Sequence, residues 1–130
     1  MSMATITLPP TRSSPGDARR WAADVLGEDV LDEFGEALLC ISELVTNAVL
    51  HGETACDLTL RWEPGRLRIE VRDYAPTKLP VQRDFDRTAT TGRGLQMLDR
   101  MTTRWGLDTD AQSKTVWCEL QAPTTMDRPW

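Results

Sequence analysis

Apolar and polar residues alternate in two neighbouring stretches of the chain. Leu58, Leu60 and Trp62 are interleaved with Asp57, Thr59, Arg61 and Glu63, and Leu67, Ile69 and Val71 with Arg66, Arg68, Glu70 and Arg72. A period of two predicts strands with one buried and one wet face. Pro64-Gly65 between them is a turn signal, so the pair reads as a β-hairpin. Ile6 and Leu8 alternate in the same way and predict a short strand over 4–9. Before the hairpin the period changes. Ser14-Pro15-Gly16-Asp17 reads as a helix start, with Ser14 as the cap and Pro15 in the first turn. Trp21, Ala22 and Val25 supply that helix's apolar stripe, and Gly27 ends it. A second helix is predicted from near Asp29 to Gly52, because Leu31, Phe34, Leu38, Ile41, Val45 and Ala48 recur in steps of three and four. After the hairpin, residues 75–92 hold two prolines and show no period. A loop of that length is uncommon unless functional or disordered. A helix over about 93–101 and strands near 103–109 and 114–121 follow, and 123–130 reads as a frayed tail.

The 130 residues amount to one domain, with a core over about 4–121. Apolar residues make up 40% and charged residues 27%, which excludes collagen-like, mucin-like and wholly disordered classes. No apolar run approaches the roughly 18–20 residues of a membrane span. The first ten residues show no basic patch followed by an apolar core, so no signal peptide is predicted. A net charge of −5 supplies no long-range basic field for nucleic acid or an anionic membrane. Cys40, Cys56 and Cys118 are scattered, which suits buried free thiols in a reducing cytoplasm better than disulfides or zinc. The five tryptophans read mainly as core.

Three segments carry candidate chemistry. Glu43, Asn47 and His51 lie at i, i+4 and i+8 and share one side of the second helix. Asn47 and His51 are the only asparagine and the only histidine. Asparagine is a poor mid-helix residue, and polar groups beside a core stripe are costly to bury without partners. The segment is therefore either a solvated helix side or a site. Asp73 continues the buried parity of Leu67, Ile69 and Val71. It either meets a donor such as a ligand amine or starts the following turn. Thr91-Gly92-Arg93-Gly94-Leu95 joins the long loop to a helix. It is either a plain turn or an anion site made by backbone amides at a helix start.

Together these segments resemble the Bergerat-type ATP-binding fold, and more closely the single-domain anti-sigma-factor serine/threonine kinases of actinobacterial type. The resemblance is carried by Ser42-Glu43-Leu44-Val45-Thr46-Asn47-Ala48-Val49-Leu50-His51-Gly52, by Glu70-Val71-Arg72-Asp73, by Gly92-Arg93-Gly94-Leu95 and by Lys114-Thr115-Val116-Trp117-Cys118-Glu119-Leu120. It implies a two-layer α/β sandwich, with a mixed, mostly antiparallel sheet covered on one face by about three helices. It implies that ATP lies between the second helix, a lid over 75–92 and the sheet. Asn47 would bind Mg²⁺, Glu43 would polarise the attacking hydroxyl, and Asp73 would accept the adenine amine. Gly92, Gly94 and Leu95 would line the phosphates, Arg93 would supply charge to the transferred group, and Thr115 would contact adenine. His51 receives no catalytic role.

The implied protein is a cytoplasmic homodimer. It phosphorylates a STAS-type anti-anti-sigma partner and holds a sigma factor. The chain departs from the family pattern at Ala75 and Thr77, where glycines are usual, at Thr90, where kinases carry an arginine, and at Ser113, where a glycine precedes the last strand. Strand alternation also puts Lys114, not Thr115, on the parity of Val116, Cys118 and Leu120. These departures keep open a second class, a partner-binding module without phosphoryl transfer. The acidic charge does not exclude ATP, since Mg²⁺, one arginine and backbone amides at a helix start can hold it.

Overall fold

A computed structural model describes residues 1–75 and 98–122. Five strands form one sheet in the order β1-β2-β3-β5-β4. They are β1 (Ser2–Leu8), β2 (Cys56–Glu63), β3 (Arg66–Asp73), β4 (Arg104–Thr109) and β5 (Lys114–Gln121). All four pairings are antiparallel, so the mostly antiparallel sheet is antiparallel at every described contact. The β2–β3 hairpin turns at Pro64-Gly65 as the alternation predicts, with Glu63 opposite Arg66. Strand alternation sends Leu58, Leu60, Leu67, Ile69, Val71, Val116, Cys118 and Leu120 into the core.

Among the described residues, two helices and a π-helical turn, with the helical residues 98–101, lie against that face. The two helices are α1 (Ser14–Glu33) and α2 (Ala37–Asn47), and the π turn is Ala48–Gly52. Ser14 is not the cap. Ser13 precedes the first helical residue, and the Ser14 hydroxyl instead donates to the Pro9 carbonyl at 2.5 Å, tying the helix start to the chain leaving β1. Gly27 breaks α1 at φ 83°, ψ 168°, where the sequence places a helix end, and the helix then resumes to Glu33. The stripe facing the core is Ala18, Ala22 and Leu26, and the two small alanines let α1 lie close to α2. Trp21 and Val25 flank it, half-buried.

The continuous helix expected from Asp29 to Gly52 is instead interrupted. The backbone leaves helical geometry at Phe34 (φ −118°, ψ 77°), and α2 starts afresh at Ala37. Phe34 plugs the core while Gly35 and Glu36 are exposed. A break over 34–36 is close to one turn of about 3.6 residues, so the apolar phase survives it and the sequence shows no discontinuity. Leu98 is buried and residues 98–101 are helical, while the rest of the helix expected over 93–101 lies outside the described residues. No helix among the described residues is long and apolar enough to cross a membrane.

The three cysteines are free and buried. Trp21, Trp62 and Trp105 pack against the core as expected. Trp117 does not. It lies on the opposite sheet face, with the Arg68 guanidinium 4.2 Å from its ring centroid. Gly106 makes room there, since a Cβ on it would meet that ring at 2.6 Å. Glu119 is buried on the same face, 2.8 Å from both Arg68 and Arg104 and 4.0 Å from Arg66. Burial alone would raise its pKa. The hydrogen bonds from Arg104 and Arg68 outweigh burial and hold the carboxyl below its ordinary value of 4.5.

A carboxylate depressed in the folded state adds stability above the unfolded value, and that stability is lost as pH falls through the folded one. Glu119→Gln should therefore cost roughly 1.5–3 kcal/mol at neutral pH, the range for hydrogen bonds to charged groups. The gap from wild type should close as urea melts are taken below the ordinary carboxyl range. A gap that stays constant with pH would contradict this assignment.

Candidate functional site

Helix α2 owes its position to Ala37, Cys40, Ile41, Leu44 and Val45, all buried against the sheet. That anchoring carries the polar side with it. Glu43 is half-buried, and Asn47, the last residue of α2, is 5% exposed. The Asn47 amide nitrogen is buried without any hydrogen-bond partner, and it is alone in this among the described side chains. Burying an unsatisfied amide costs about 1–3 kcal/mol. Such a group fits a ligand better than a packing role.

After Asn47 the helix widens into the π turn Ala48–Gly52. Glu53 closes it in the left-handed region (φ 60°), with its backbone N–H donating to Ala48 at 3.1 Å. The turn delivers Gly52 onto the end of β3. A Cβ there would lie 2.9 Å from Oδ2 of Asp73, so only glycine lets the backbone approach that carboxylate. The His51 side chain is not among those described.

Asp73 points into the helix-facing layer, as its parity predicts, and is 2% exposed. Its Oδ1 accepts the backbone N–H of Ala75 at 3.0 Å, and its Oδ2 lies 2.8 Å from Nζ of Lys114. Lys114 stands directly opposite Asp73 in the β3–β5 register and is 1% exposed. Its ammonium also donates to the Ala75 carbonyl at 3.4 Å. On the other flank Cys56 pairs with Asp73 in the β2–β3 register. Burial, with the charges of Asp57 and Asp73, pushes the Cys56 thiol up to about 12. The chain leaving β3 is held by Thr54, whose hydroxyl accepts the Tyr74 N–H at 3.0 Å, and by the Tyr74 hydroxyl, which donates to Asp57 at 2.5 Å.

Asp73 thus lies on the helix-facing side of the sheet, and α2, which packs on that side, carries the half-buried Glu43 and the buried Asn47. Thr115 is not brought there. Its β-sheet partner Arg72 belongs to the opposite face, and alternation gives the inward place to Lys114. Ser113, where a glycine was expected, has a structural part. Its hydroxyl accepts Arg72 Nε at 3.0 Å and donates to Asp110 in the β4–β5 turn. Gly92, Arg93, Gly94, Leu95, Thr90 and all but the first residue of the expected lid at 75–92 lie outside the described residues. Sequence reasoning placed Lys114 on the buried parity but gave it no partner. Two opposite charges on the buried parity of neighbouring strands were the available signal.

No group of three or more His, Cys, Asp or Glu side chains among the described residues could hold a metal. Asn47 offers one amide oxygen, which suits Mg²⁺, a hard cation usually held by one or two protein oxygens together with substrate phosphates. The orphaned amide nitrogen beside it fits the same arrangement by offering a donor to an anion.

A family model described as histidine kinase-like ATPase domain matches residues 8–119. No curated protein matches the chain. Among solved structures, the crystal structure of the RsbU and RsbW domains of Rv1364c from Mycobacterium tuberculosis matches with a TM-score of 0.65 at 19% identity. The match covers 94% of this chain and 33% of that one, so this chain spans about a third of that protein's crystallised length. At that identity the likeness is one of fold.

The orphaned amide leads to a stability–binding trade. Asn47→Ala should leave the ligand-free melting temperature unchanged or higher, because it removes an unsatisfied donor. It should abolish most of the stabilisation by Mg-ATP. A ligand-free protein clearly destabilised, with normal Mg-ATP stabilisation, would show that Asn47 only packs.

Proposed function

The chain belongs to the histidine kinase-like ATPase domain family, and from that premise we propose that it binds ATP and passes the γ-phosphate to a serine or threonine of a partner protein. The partner is a STAS-type anti-anti-sigma protein, and the chain sequesters a sigma factor when that partner is phosphorylated. It acts in the cytoplasm as a homodimer. The observation that carries the ATP-binding reading is the buried, unpartnered amide of Asn47, one turn beyond Glu43 on α2. The anti-sigma part is supported by the motif resemblance and by the fold shared with a structure that contains an RsbW domain.

Each residue has a distinct task in this reading. Asp73 accepts the exocyclic amine of adenine. Asn47 holds Mg²⁺ through its amide oxygen, and the ion when bound neutralises phosphate charge. Glu43 accepts the proton of the attacking hydroxyl as its oxygen bonds the γ-phosphorus and the bond to the β–γ bridging oxygen breaks. ADP leaves, and the proton passes from Glu43 to solvent. Arg93 stabilises the transferred group, and the backbone around Gly92, Gly94 and Leu95 lines the phosphates.

A second reading, a partner-binding module without phosphoryl transfer, is favoured by one observation. Both oxygens of Asp73 already accept a hydrogen bond or ion pair, and Ala75 stands where the family has glycine. The two readings separate when purified protein is incubated with Mg-ATP and a candidate partner. The kinase reading expects phosphate on a partner serine or threonine. It also expects Glu43→Ala to slow transfer by roughly 10²–10⁴-fold while nucleotide affinity stays within a few-fold. Tight partner binding with no phosphate transferred by the wild type would leave the binding-module reading.

A further inference from the structure

Asp73 is not a bare carboxylate waiting for a base. Its Oδ2 is held by the Lys114 ammonium at 2.8 Å, and the two side chains are 3% and 1% exposed. Its Oδ1 takes one backbone hydrogen bond, from Ala75. An ionised carboxylate has about four acceptor positions, so the Asp73 carboxylate keeps acceptor capacity for a ligand after these two are filled. Separating a buried ion pair is strongly unfavourable, so an incoming base amine adds to the pair more readily than it displaces the lysine.

We propose that Lys114 is the positioning residue that sets base specificity, by holding one oxygen of Asp73 and so fixing where the remaining acceptor positions point. The inference rests on the nucleotide reading given above and deepens it. A purine with an amino group at position 6 offers a donor to that acceptor. A purine with an oxo group there sets oxygen against oxygen and is rejected. Lys114 acts through Asp73 and touches the base in neither case. Its place across the strand pair and the close approach of Gly52 to the carboxylate hold Asp73 in one orientation.

The test compares ADP with inosine diphosphate, each with Mg²⁺, by calorimetry. Wild type should prefer ADP by at least about 100-fold, since sites built to pair a polar group reject analogues that leave it unpaired. Lys114→Met should weaken ADP and cut the preference by at least about tenfold, because an Asp73 carboxylate no longer held by the ammonium can turn its acceptor oxygens away from the base. A purely structural lysine would weaken both diphosphates alike and leave the ratio unchanged, and that result would overturn the proposal.

A second measurement needs no change at position 114. The chain has two lysines, Lys78 and Lys114, so ¹⁵N-lysine labelling gives two ammonium signals, and Lys78→Arg tells them apart. The Lys114 signal should stay protected from exchange when ADP binds, and its loss would mean that the base displaces the lysine and would overturn the proposal. Equal binding of both diphosphates by wild type would defeat only this inference. Failure to bind either would defeat the nucleotide reading together with it.

Discussion

A buried aspartate at the end of a strand needs a counter-charge, and much of the site's layout follows from how this fold supplies one. Asp73 closes β3, and Lys114 opens β5 directly opposite it. Removing one partner from such a pair typically costs about 3–5 kcal/mol, whereas well-packed apolar residues in both places can be as stable as the pair. Stability alone therefore does not account for the charges. What the pair provides is a carboxylate with a fixed orientation on the helix-facing side. The π turn at the end of α2 comes up against that carboxylate through Gly52. The helix carrying Glu43 and Asn47 is thereby registered on the sheet end.

The sheet offers its own comparison in Glu119. It too is a carboxylate buried on a strand, but on the opposite face and with Arg66, Arg68 and Arg104 gathered around it. Arg68 and Arg104 each donate a hydrogen bond to one of its oxygens, Arg68 also stacks on Trp117, and the cluster has the character of a closed structural network. On the helix-facing side satisfaction is incomplete. Asp73 keeps acceptor capacity, and Asn47 keeps an amide with no partner. Incomplete satisfaction in an otherwise well-paired interior distinguishes a place for a ligand from a place for packing.

Much of this was legible along the chain. The β2–β3 hairpin and the inward parity of Asp73 follow from a two-residue alternation that the sheet reproduces, and strands were expected where β4 and β5 lie. Glu43 and Asn47 share a side of α2 because four residues are close to one helical turn. The interruption at Phe34–Glu36 was not legible, since its length keeps the apolar stripe in phase. Nor was the stripe of α1, where small alanines face the core and Trp21 lies at its flank. Thr115 lies on the outward parity of its own strand, and the lysine beside it takes the inward place.

Period and parity are local, so the sequence by itself determined which residues could face inward and which elements would carry them. A counter-charge is a fact of three-dimensional neighbourhood. Only the pairing of β3 with β5 decided that Asp73 would meet Lys114. Only the widened turn after α2 decided that Gly52 would lie against the same carboxylate. The unpartnered state of Asn47 was decided in the same way, because whether an amide is satisfied depends on every group that packing brings within reach, and no spacing along the chain encodes that.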